Sequence, residues 1–178
     1  MLNIITPCSR PENLLAISAT IPSEAKWIVC YDDRVSLPVV ENAIFIKCPH
    51  TGPVGTLARN YVLDNFEFNN NNWILFHDDD NIIHPDLYSN IKQYLDSDYS
   101  MVYWGQKEKN SKIRLHLDYL IPSIERIDTA CFMINWKYNS TVRHEQVYCH
   151  DGIYASQCSK NGSIIKLNKY LCYYNYLR

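Results

Sequence analysis

Three consecutive aspartates follow a short apolar segment near the middle of the chain. The segment WILF at positions 73–76 reads as a buried strand, and His77 leads from it into Asp78, Asp79 and Asp80. Adjacent carboxylates repel one another and aspartate is a poor strand former, so the cluster calls for a counter-charge. Mg²⁺ and Mn²⁺ prefer oxygen ligands and complete their shells with water and substrate phosphates. The cluster therefore predicts a metal–diphosphate site.

A second acidic cluster, the pair Asp32 and Asp33, directly follows the apolar segment WIVCY at 27–31. Parallel sheets bind ligands at the carboxyl ends of their strands, so both acidic clusters are expected at one ligand-binding edge. The simpler alternative is that the triple aspartate only forms a turn and caps a helix beginning near Pro85, since aspartate favours such positions. A single aspartate would suffice for that role.

The elements that must position these carboxylates alternate along the first half of the chain. Apolar, strand-like segments lie at 2–5, 26–31, 43–48, 73–76 and 101–104, and helical patterns lie between most of them. Ser9 and Glu12 have the spacing of a capping box at the start of the first helix. This alternation predicts an α/β, Rossmann-like fold with a mostly parallel central sheet flanked by helices.

The second half of the chain is less regular. The segment at 113–117 alternates like a half-exposed strand, 129–136 reads as a buried strand, and 163–167 reads as a late strand. A short helix is expected over 151–160. The sequence shows no internal repeat and no linker, which predicts a single domain over 1–178.

Composition excludes several classes of function. The 17 Lys and Arg against 19 Asp and Glu give a net charge of −2, which argues against electrostatic capture of nucleic acid. No apolar run approaches the roughly 20 residues of a transmembrane helix. The seven cysteines are odd in number and form no C-x-x-C pair, so free thiols and a cytoplasmic location are expected.

Five fragments together resemble a known family. NIITPCSRPENLLAI, WIVCYDD, GTLARNYVLD, WILFHDDDNIIHPDL and HDGIYASQCSKNGSIIKL occur in the order found in GT-A-fold glycosyltransferases of the family 2 type, in which the acidic cluster corresponds to the DXD motif. The resemblance spans about residues 3–167. It implies a nucleotide-sugar-binding half over 1–104 and an acceptor-binding and catalytic half over 105–178.

The resemblance also implies roles for individual residues. On the donor side, Asp78 and Asp79 would contact the ribose or sugar, Asp80, with Asp78, would bind Mn²⁺ or Mg²⁺, and Asp32 or Asp33 would meet the base. The remaining nucleotide-sugar contacts would come from Thr6, Pro7, Cys8, Arg10 and Arg59. On the acceptor side, the implied residues are Asp128, Thr129, Ala130 and His150. Asp151 resembles the family's catalytic base, although His150 replaces the glutamate usual before it.

These roles suit an inverting transfer from a nucleotide-diphospho-sugar, UDP-linked by expectation, to a hydroxyl of a glycan or another acceptor. A metal stabilises charge on the leaving diphosphate, and a carboxylate takes the proton of the attacking hydroxyl. Attack opposite the diphosphate inverts the anomeric centre.

Other functions stay open at the level of sequence. A sugar nucleotidyltransferase would carry a glycine-rich loop after its first strand, and TPCSRPEN contains no glycine. A haloacid-type phosphatase would place its D-x-D near that strand. A catalytically inactive nucleotide-sugar- or glycan-binding module is the alternative from another class, because His150 alters the motif around Asp151.

Overall fold

A computed structural model describes residues 1–115, 118 and 121–178. Within these ranges the chain forms a central sheet with short helices packed around it. The strands are β1 (Leu2–Pro7), β2 (Lys26–Tyr31), β3 (Ala43–Lys47), β4 (Trp73–Phe76), β5 (Met101–Glu108), β6 (Ile113–Leu115), β7 (Phe132–Asn135) and β8 (Ile164–Tyr174).

The helices are short, and several are preceded or extended by a 3₁₀ turn. They are α1 (Leu14–Ser18), α2 (Thr56–Asn65), α3 (Leu87–Ile91), α4 (Trp136–Asn139) and α5 (His150–Cys158). The 3₁₀ turns cover Pro11–Asn13, Pro53–Gly55, Lys92–Tyr94 and Thr129–Cys131. In the part of the chain that the structure describes, no helix has the length and apolar content needed to cross a membrane.

The sheet is mixed, with strand order β3-β2-β1-β4-β7-β5-β6 and β8 paired to β5. The first four strands are mutually parallel, whereas β7 runs antiparallel to both β4 and β5. The predicted α/β, Rossmann-like class is confirmed. Because β1, β2 and β4 run in the same direction, the acidic segments that follow β2 and β4 lie along the same edge as the loop after β1.

The core explains why these strands read as continuous apolar runs. Every residue of β1 and of β4 is buried, as expected for strands covered on both faces. Trp27 and Trp73 are among the largest fully buried side chains. The indole N–H of Trp73 donates to the Leu95 carbonyl at 3.0 Å, so the polar group of this large side chain is satisfied inside the core.

The last strand is longer than the sequence predicts. Only 163–167 reads as a strand in the sequence, but β8 continues through the tyrosine-rich segment to Tyr174 and runs parallel to β5. The chain then returns to β4, where Leu177 N donates to Asp80 O at 2.8 Å. The strand predicted at 113–117 corresponds to β6, which covers 113–115. Its predicted continuation through His116 and Leu117 lies outside the described residues.

Candidate functional site

Loops after β1, β2 and β4 enclose a cavity of about 330 Å³ at the carboxyl edge of the sheet. The turn before α2 and the C-terminal segment complete its wall. The lining residues are Pro7, Cys8, Ser9, Arg10, Arg34, Thr51, Gly52, Val54, Gly55, Arg59, Asp78, Asp79, Asp80 and Arg178. The wall therefore carries four arginines beside the three aspartates, a composition that suits a polyanionic ligand such as a diphosphate.

The turn before α2 requires an unusual backbone. Gly55 has a φ of +75°, and a Cβ there would lie 2.7 Å from Pro7 Cβ, so only glycine allows this approach to the end of β1. Val54 has a φ of +45°, which is strained for a β-branched residue. Arg59 Nη1 donates to the Val54 carbonyl at 2.6 Å and holds this conformation in place.

Asp79 organises the loop after β1. One of its oxygens, Oδ2, accepts from Ser9 N at 2.5 Å, Ser9 Oγ at 2.9 Å and Arg10 N at 2.7 Å. Its other oxygen accepts from Arg10 Nη1 at 2.5 Å. The capping-box expectation for Ser9 is therefore wrong: its hydroxyl bonds Asp79, and the following 3₁₀ turn has no side-chain cap.

Asp78 and Asp80 present their carboxylates on the cavity wall. Arg59, of which only 2% is exposed, forms an ion pair with Asp78. Asp80 Oδ2 lies 2.8 Å from Arg178 Nη2 and 3.5 Å from Arg10 Nη1. Burial and the neighbouring Asp78 charge raise the pKa of Asp80, although Arg178 and Arg10 oppose this rise. These two carboxylates are the residues of this cavity best suited to hold a hard cation.

The two aspartates after β2 have different environments and different partners. Asp32 accepts from Arg34 Nη2 at 2.7 Å and from Thr51 N at 3.0 Å, and the bonds from Arg34 hold the pKa of Asp32 well below its usual range. Asp33 is exposed and lies 2.5 Å from Lys47 Nζ. Neither carboxylate forms part of the cavity lining described above; Arg34 and Thr51 stand between Asp32 and the cavity.

Of the other predicted donor-side residues, Pro7, Cys8, Arg10 and Arg59 line the cavity. Thr6 lies beneath it, fully buried, where its hydroxyl accepts from Trp27 Nε1 at 3.0 Å. The sequence reasoning missed Arg34 and Arg178. Arg34 could have been predicted, because it follows the candidate residue Asp32 by two positions. Arg178 could not, because no neighbouring residue in the sequence indicates a binding role.

A second cavity of about 540 Å³ adjoins the first. Val54, Asp78, Asp80 and Arg178 line both. Its far wall contains Arg114, Leu115, Glu125, Ile127, Asp128, Tyr148, Cys149, His150, Asp151, Gly152, Tyr174 and Asn175. The donor-side residues that line the first cavity and the acceptor-side residues that line the second thus face two spaces that meet at Asp78 and Asp80.

Asp151 lies on this far wall, in the first turn of α5. Its Oδ1 accepts a bond from Thr129 Oγ1 and lies 3.0 Å from His150 Nδ1. Burial raises the pKa of Asp151, but the hydrogen bond and charge of His150, with Arg59 and Thr129, outweigh it and lower the pKa overall. Cys149, with a φ of +66°, is the N-cap residue of α5. A helix-capping role for Asp151 is therefore excluded, and its carboxylate is ionised at neutral pH.

Asp128 is the second carboxylate of the far wall. Burial, followed by the charges of Asp78 and Asp151, raises the pKa of Asp128 to about 7, although Arg114 opposes the rise. Arg114 Nη1 lies 3.2 Å from Asp128 Oδ2, and Ala130 N donates to Oδ1 at 3.3 Å. Ala130 itself is buried behind this turn. The sequence-predicted acceptor residues are thus brought together, with Asp128 and His150 on the wall and Thr129 bonded to Asp151.

Comparison with known proteins finds no matching family model and no match among curated proteins. Among solved structures, TarS 1–349 from S. aureus, a GT-A glycosyltransferase, superposes with a TM-score of 0.68 at 15% identity. The match covers 97% of this chain and 59% of TarS 1–349, so this chain spans under two thirds of that relative.

Nucleotidyltransferases are also similar. A 4-diphosphocytidyl-2C-methyl-D-erythritol synthase gives a TM-score of 0.60 at 8% identity, covering 94% of this chain and 88% of that one. A putative glucose-1-phosphate thymidylyltransferase from Bacillus anthracis gives 0.59 at 9% identity, covering 95% and 87%. At these identities the likeness concerns the fold, which is the GT-A-like fold shared by glycosyl- and nucleotidyltransferases.

Proposed function

We propose that this protein is a transferase acting on a nucleotide-diphospho-sugar, and that it moves the sugar to an acceptor hydroxyl with inversion. The observation that carries the proposal is the pair of adjoining cavities, which meet at Asp78 and Asp80. A diphosphate in the first cavity would lie among arginines, and the sugar would reach the second cavity at this junction. The ionised Asp151 then faces the sugar from the acceptor side.

The donor is held by charge and by hydrogen-bond geometry. Arg10, Arg34 and Arg178 are side chains of the first cavity that can reorient toward phosphate oxygens, because each is at least partly exposed. Guanidinium groups bind phosphates through two parallel bonds. Arg59 is buried and positions Asp78 instead. The base-proximal role predicted for Asp32 becomes a supporting one, in which Asp32 fixes Arg34.

Mn²⁺ or Mg²⁺ fits the junction of the cavities. Asp79 is committed to the β1 loop, while Asp78 and Asp80 both line the cavities and offer oxygen ligands of the type these ions prefer. Bound there, the ion would stabilise the charge that develops on the leaving diphosphate. Arg178, which now neutralises Asp80, would be free to turn toward the phosphates.

The proton of the acceptor hydroxyl is taken by Asp151. His150 and Thr129 hold its carboxylate in one orientation and keep it ionised. Asp128 lies on the same wall. It can accept a hydrogen bond from the same hydroxyl when it is ionised, or donate one when it is protonated. General-base assistance of this kind contributes typically 10²–10⁴ in rate.

Transfer of a nucleotidyl group is the second candidate, because several similar folds belong to nucleotidyltransferases. One experiment separates the two. The protein is incubated either with nucleotide-diphospho-sugars and hydroxyl acceptors, or with nucleoside triphosphates and sugar phosphates. Release of a nucleoside diphosphate in the first mixture supports glycosyl transfer, and release of pyrophosphate in the second supports nucleotidyl transfer.

Binding without turnover in both mixtures would identify an inactive nucleotide-sugar-binding module. Asp98→Asn is a suitable control throughout, because Asp98 is exposed and lines neither cavity. If neither mixture reacts and no nucleotide binds, the proposed function is wrong.

A further inference from the structure

Two histidines and an aspartate converge at the wall of the second cavity, where His150 and Asp151 line it and His144 lies behind them. His144 Nδ1 lies 3.1 Å from His150 Nδ1, and His150 Nδ1 lies 3.0 Å from Asp151 Oδ1. One ligand atom from each of the three residues can be chosen so that all lie within 4.8 Å of one another. The sequence marks Asp151 and His150 as a pair, but His144 joins them only in the fold.

The surrounding structure fixes the His144 ring. It stacks on Tyr154 with 4.0 Å between ring centroids and an interplanar angle of 6°, and it meets Phe76 edge-on at 4.7 Å. Its backbone is clamped by Asn60, whose side chain accepts from His144 N at 2.8 Å and donates to His144 O at 2.8 Å. The nitrogen that faces His150 is thus held in position before any ligand arrives.

Hydrogen atoms alone do not satisfy this arrangement. A single hydrogen on His150 Nδ1 can point at the His144 nitrogen or at the Asp151 oxygen, but not well at both. If His144 Nδ1 carries the hydrogen instead, the lone pair of His150 faces the carboxylate at 3.0 Å. Either placement leaves one of the two close contacts of His150 Nδ1 without a well-aligned hydrogen bond. A cation coordinated by the three atoms would satisfy both contacts.

The spacing suits a tetrahedral transition-metal ion. Bonds of about 2.0–2.1 Å to nitrogen and oxygen at tetrahedral angles separate neighbouring ligand atoms by roughly 3.3–3.5 Å. Two of the separations here are 3.1 and 3.0 Å, and the ligand atoms of His144 and Asp151 lie within 4.8 Å of each other. Closing that third distance by up to about 1.5 Å would complete the tetrahedral arrangement. Imidazole ligands favour Zn²⁺ and Co²⁺ over Mg²⁺ and Mn²⁺.

We propose that His144, His150 and Asp151 form a binding site for Zn²⁺ or a similar borderline transition metal. His150 and Asp151 line the second cavity, so an ion can enter from there. The site is distinct in ligand chemistry from the oxygen ligands Asp78 and Asp80. It rests on the geometry of these three residues. Because it uses the Asp151 carboxylate that the proposed transfer needs as its base, bound Zn²⁺ should inhibit transfer.

Binding of the metal alone provides the test. The parent protein should carry Cys149→Ser, because Cys149 adjoins His150 and is only partly buried, and its thiol would otherwise add a ligand. Isothermal titration with Zn²⁺ in the presence of excess Mg²⁺ should give one site per chain. Co²⁺ should give the intense visible absorption of a tetrahedral complex, and Zn²⁺ should abolish it.

Substitutions of the proposed ligands test which residues bind the metal. His144→Phe keeps a ring to stack on Tyr154 but removes the ligand nitrogen, and it should weaken Zn²⁺ binding by roughly 100-fold or more. His84→Phe is the matched control, because His84 is also buried and stacks on Tyr173 at 5.0 Å, outside the cluster. It should leave Zn²⁺ affinity unchanged.

Asp151→Asn keeps side-chain volume at a partly exposed position, so it tests the site even if His144→Phe does not fold. It should weaken Zn²⁺ binding by at least about tenfold. Circular dichroism confirms the fold of each variant. Absence of Zn²⁺ and Co²⁺ binding to the parent, or parent-like affinity in either folded variant, would show that the cluster holds protons only.

Discussion

At the scale of single residues, the three adjacent aspartates have three different environments. Asp78 pairs with a buried arginine, Asp79 holds the β1 loop, and Asp80 faces Arg178. The sequence predicts that the cluster is special, because one aspartate would suffice for a turn. It does not predict this division, because the partners come from segments about 20, 70 and 98 positions away.

Asp80→Asn tests the proposed metal site. The amide nearly preserves the volume of the carboxylate but removes its charge, so the fold should survive while metal-dependent turnover falls by roughly 100-fold or more. The measurement is the initial rate of nucleoside diphosphate release against Mn²⁺ concentration. Asp98→Asn is the control and should retain the parent rate, because Asp98 lines neither cavity. An unchanged metal dependence in Asp80→Asn would show that the Asp80 carboxylate has a structural role and does not bind the metal.

Asp151→Asn tests the proposed base. The substitution keeps side-chain size, and the N-cap of α5 is Cys149, so helix α5 should persist. Transfer should fall by about 10²–10⁴ while donor affinity stays within about twofold of the parent. Rates are compared with Mg²⁺ as the only divalent ion, so that binding of other metals near Asp151 does not contribute. Normal transfer by the variant, together with inactive His150→Ala, would assign the base to His150.

At the scale of elements, Asp32 connects the end of β2 to the segment before α2. Its pKa is lowered in the folded protein, so its contribution to stability is fully present above its unfolded pKa of about 3.9 and is lost as pH falls below that value. Asp32→Asn should therefore lower the free energy of unfolding at pH 7 by roughly 1–3 kcal/mol.

The comparison is made by urea unfolding at a series of pH values. The difference between parent and variant should shrink as the pH is lowered through the acid range, because the Asp32 carboxylate of the unfolded parent takes up a proton at a higher pH than that of the folded parent. A difference that is constant from pH 7 to the acid limit would show that lost packing, and not the charge of Asp32, accounts for the effect.

β8 approaches β5 most tightly beside Gly105, which leaves no room for a side chain. A Cβ at Gly105 would lie 2.6 Å from the Tyr170 ring and 3.1 Å from the Leu115 carbonyl oxygen. Gly105→Ala should therefore destabilise the protein by roughly 1–3 kcal/mol, since overpacking displaces neighbouring groups. Chemical denaturation measures the loss, and Tyr170→Ala in the same chain should restore part of it. Simple additivity of the two substitutions would contradict this clash.

The elements also show what sequence patterns convey. β1, β2 and β4 are predictable because they are continuous apolar runs ended by polar residues, which is a local signal. The full length of β8 is not predictable, because its second half is rich in tyrosine and polar residues and is stabilised by pairing with β5. The same holds for His144, which reaches the site through packing on Tyr154 and not through any spacing along the chain.

At the scale of the whole molecule, donor binding should be visible as stabilisation. A ligand at 100 times its dissociation constant adds about 2.7 kcal/mol to the free energy of unfolding. We expect UDP or a UDP-sugar to raise the melting temperature, and to raise it more with Mn²⁺ than with a chelator. Thermal shift against a panel of nucleotides measures this. If no nucleoside diphosphate or nucleotide sugar shifts the transition under either condition, the first cavity is not a donor site.

The return of the chain to Asp80 has a consequence for the order of folding. Leu177 N donates to Asp80 O, and Tyr176 N donates to Asn81 Oδ1 across 95 positions of sequence. Doubling the length of a closed loop costs only about 0.6 kcal/mol, so these contacts are delayed mainly because the segment that makes them is synthesised after β4. During synthesis, β1 to β4 and the triple aspartate emerge well before β8. A nascent chain would thus hold its acidic strand ends while the wall that contains Arg178 is still missing. The first cavity would therefore be able to bind a ligand only after β8 and the segment that contains Arg178 have folded onto the sheet.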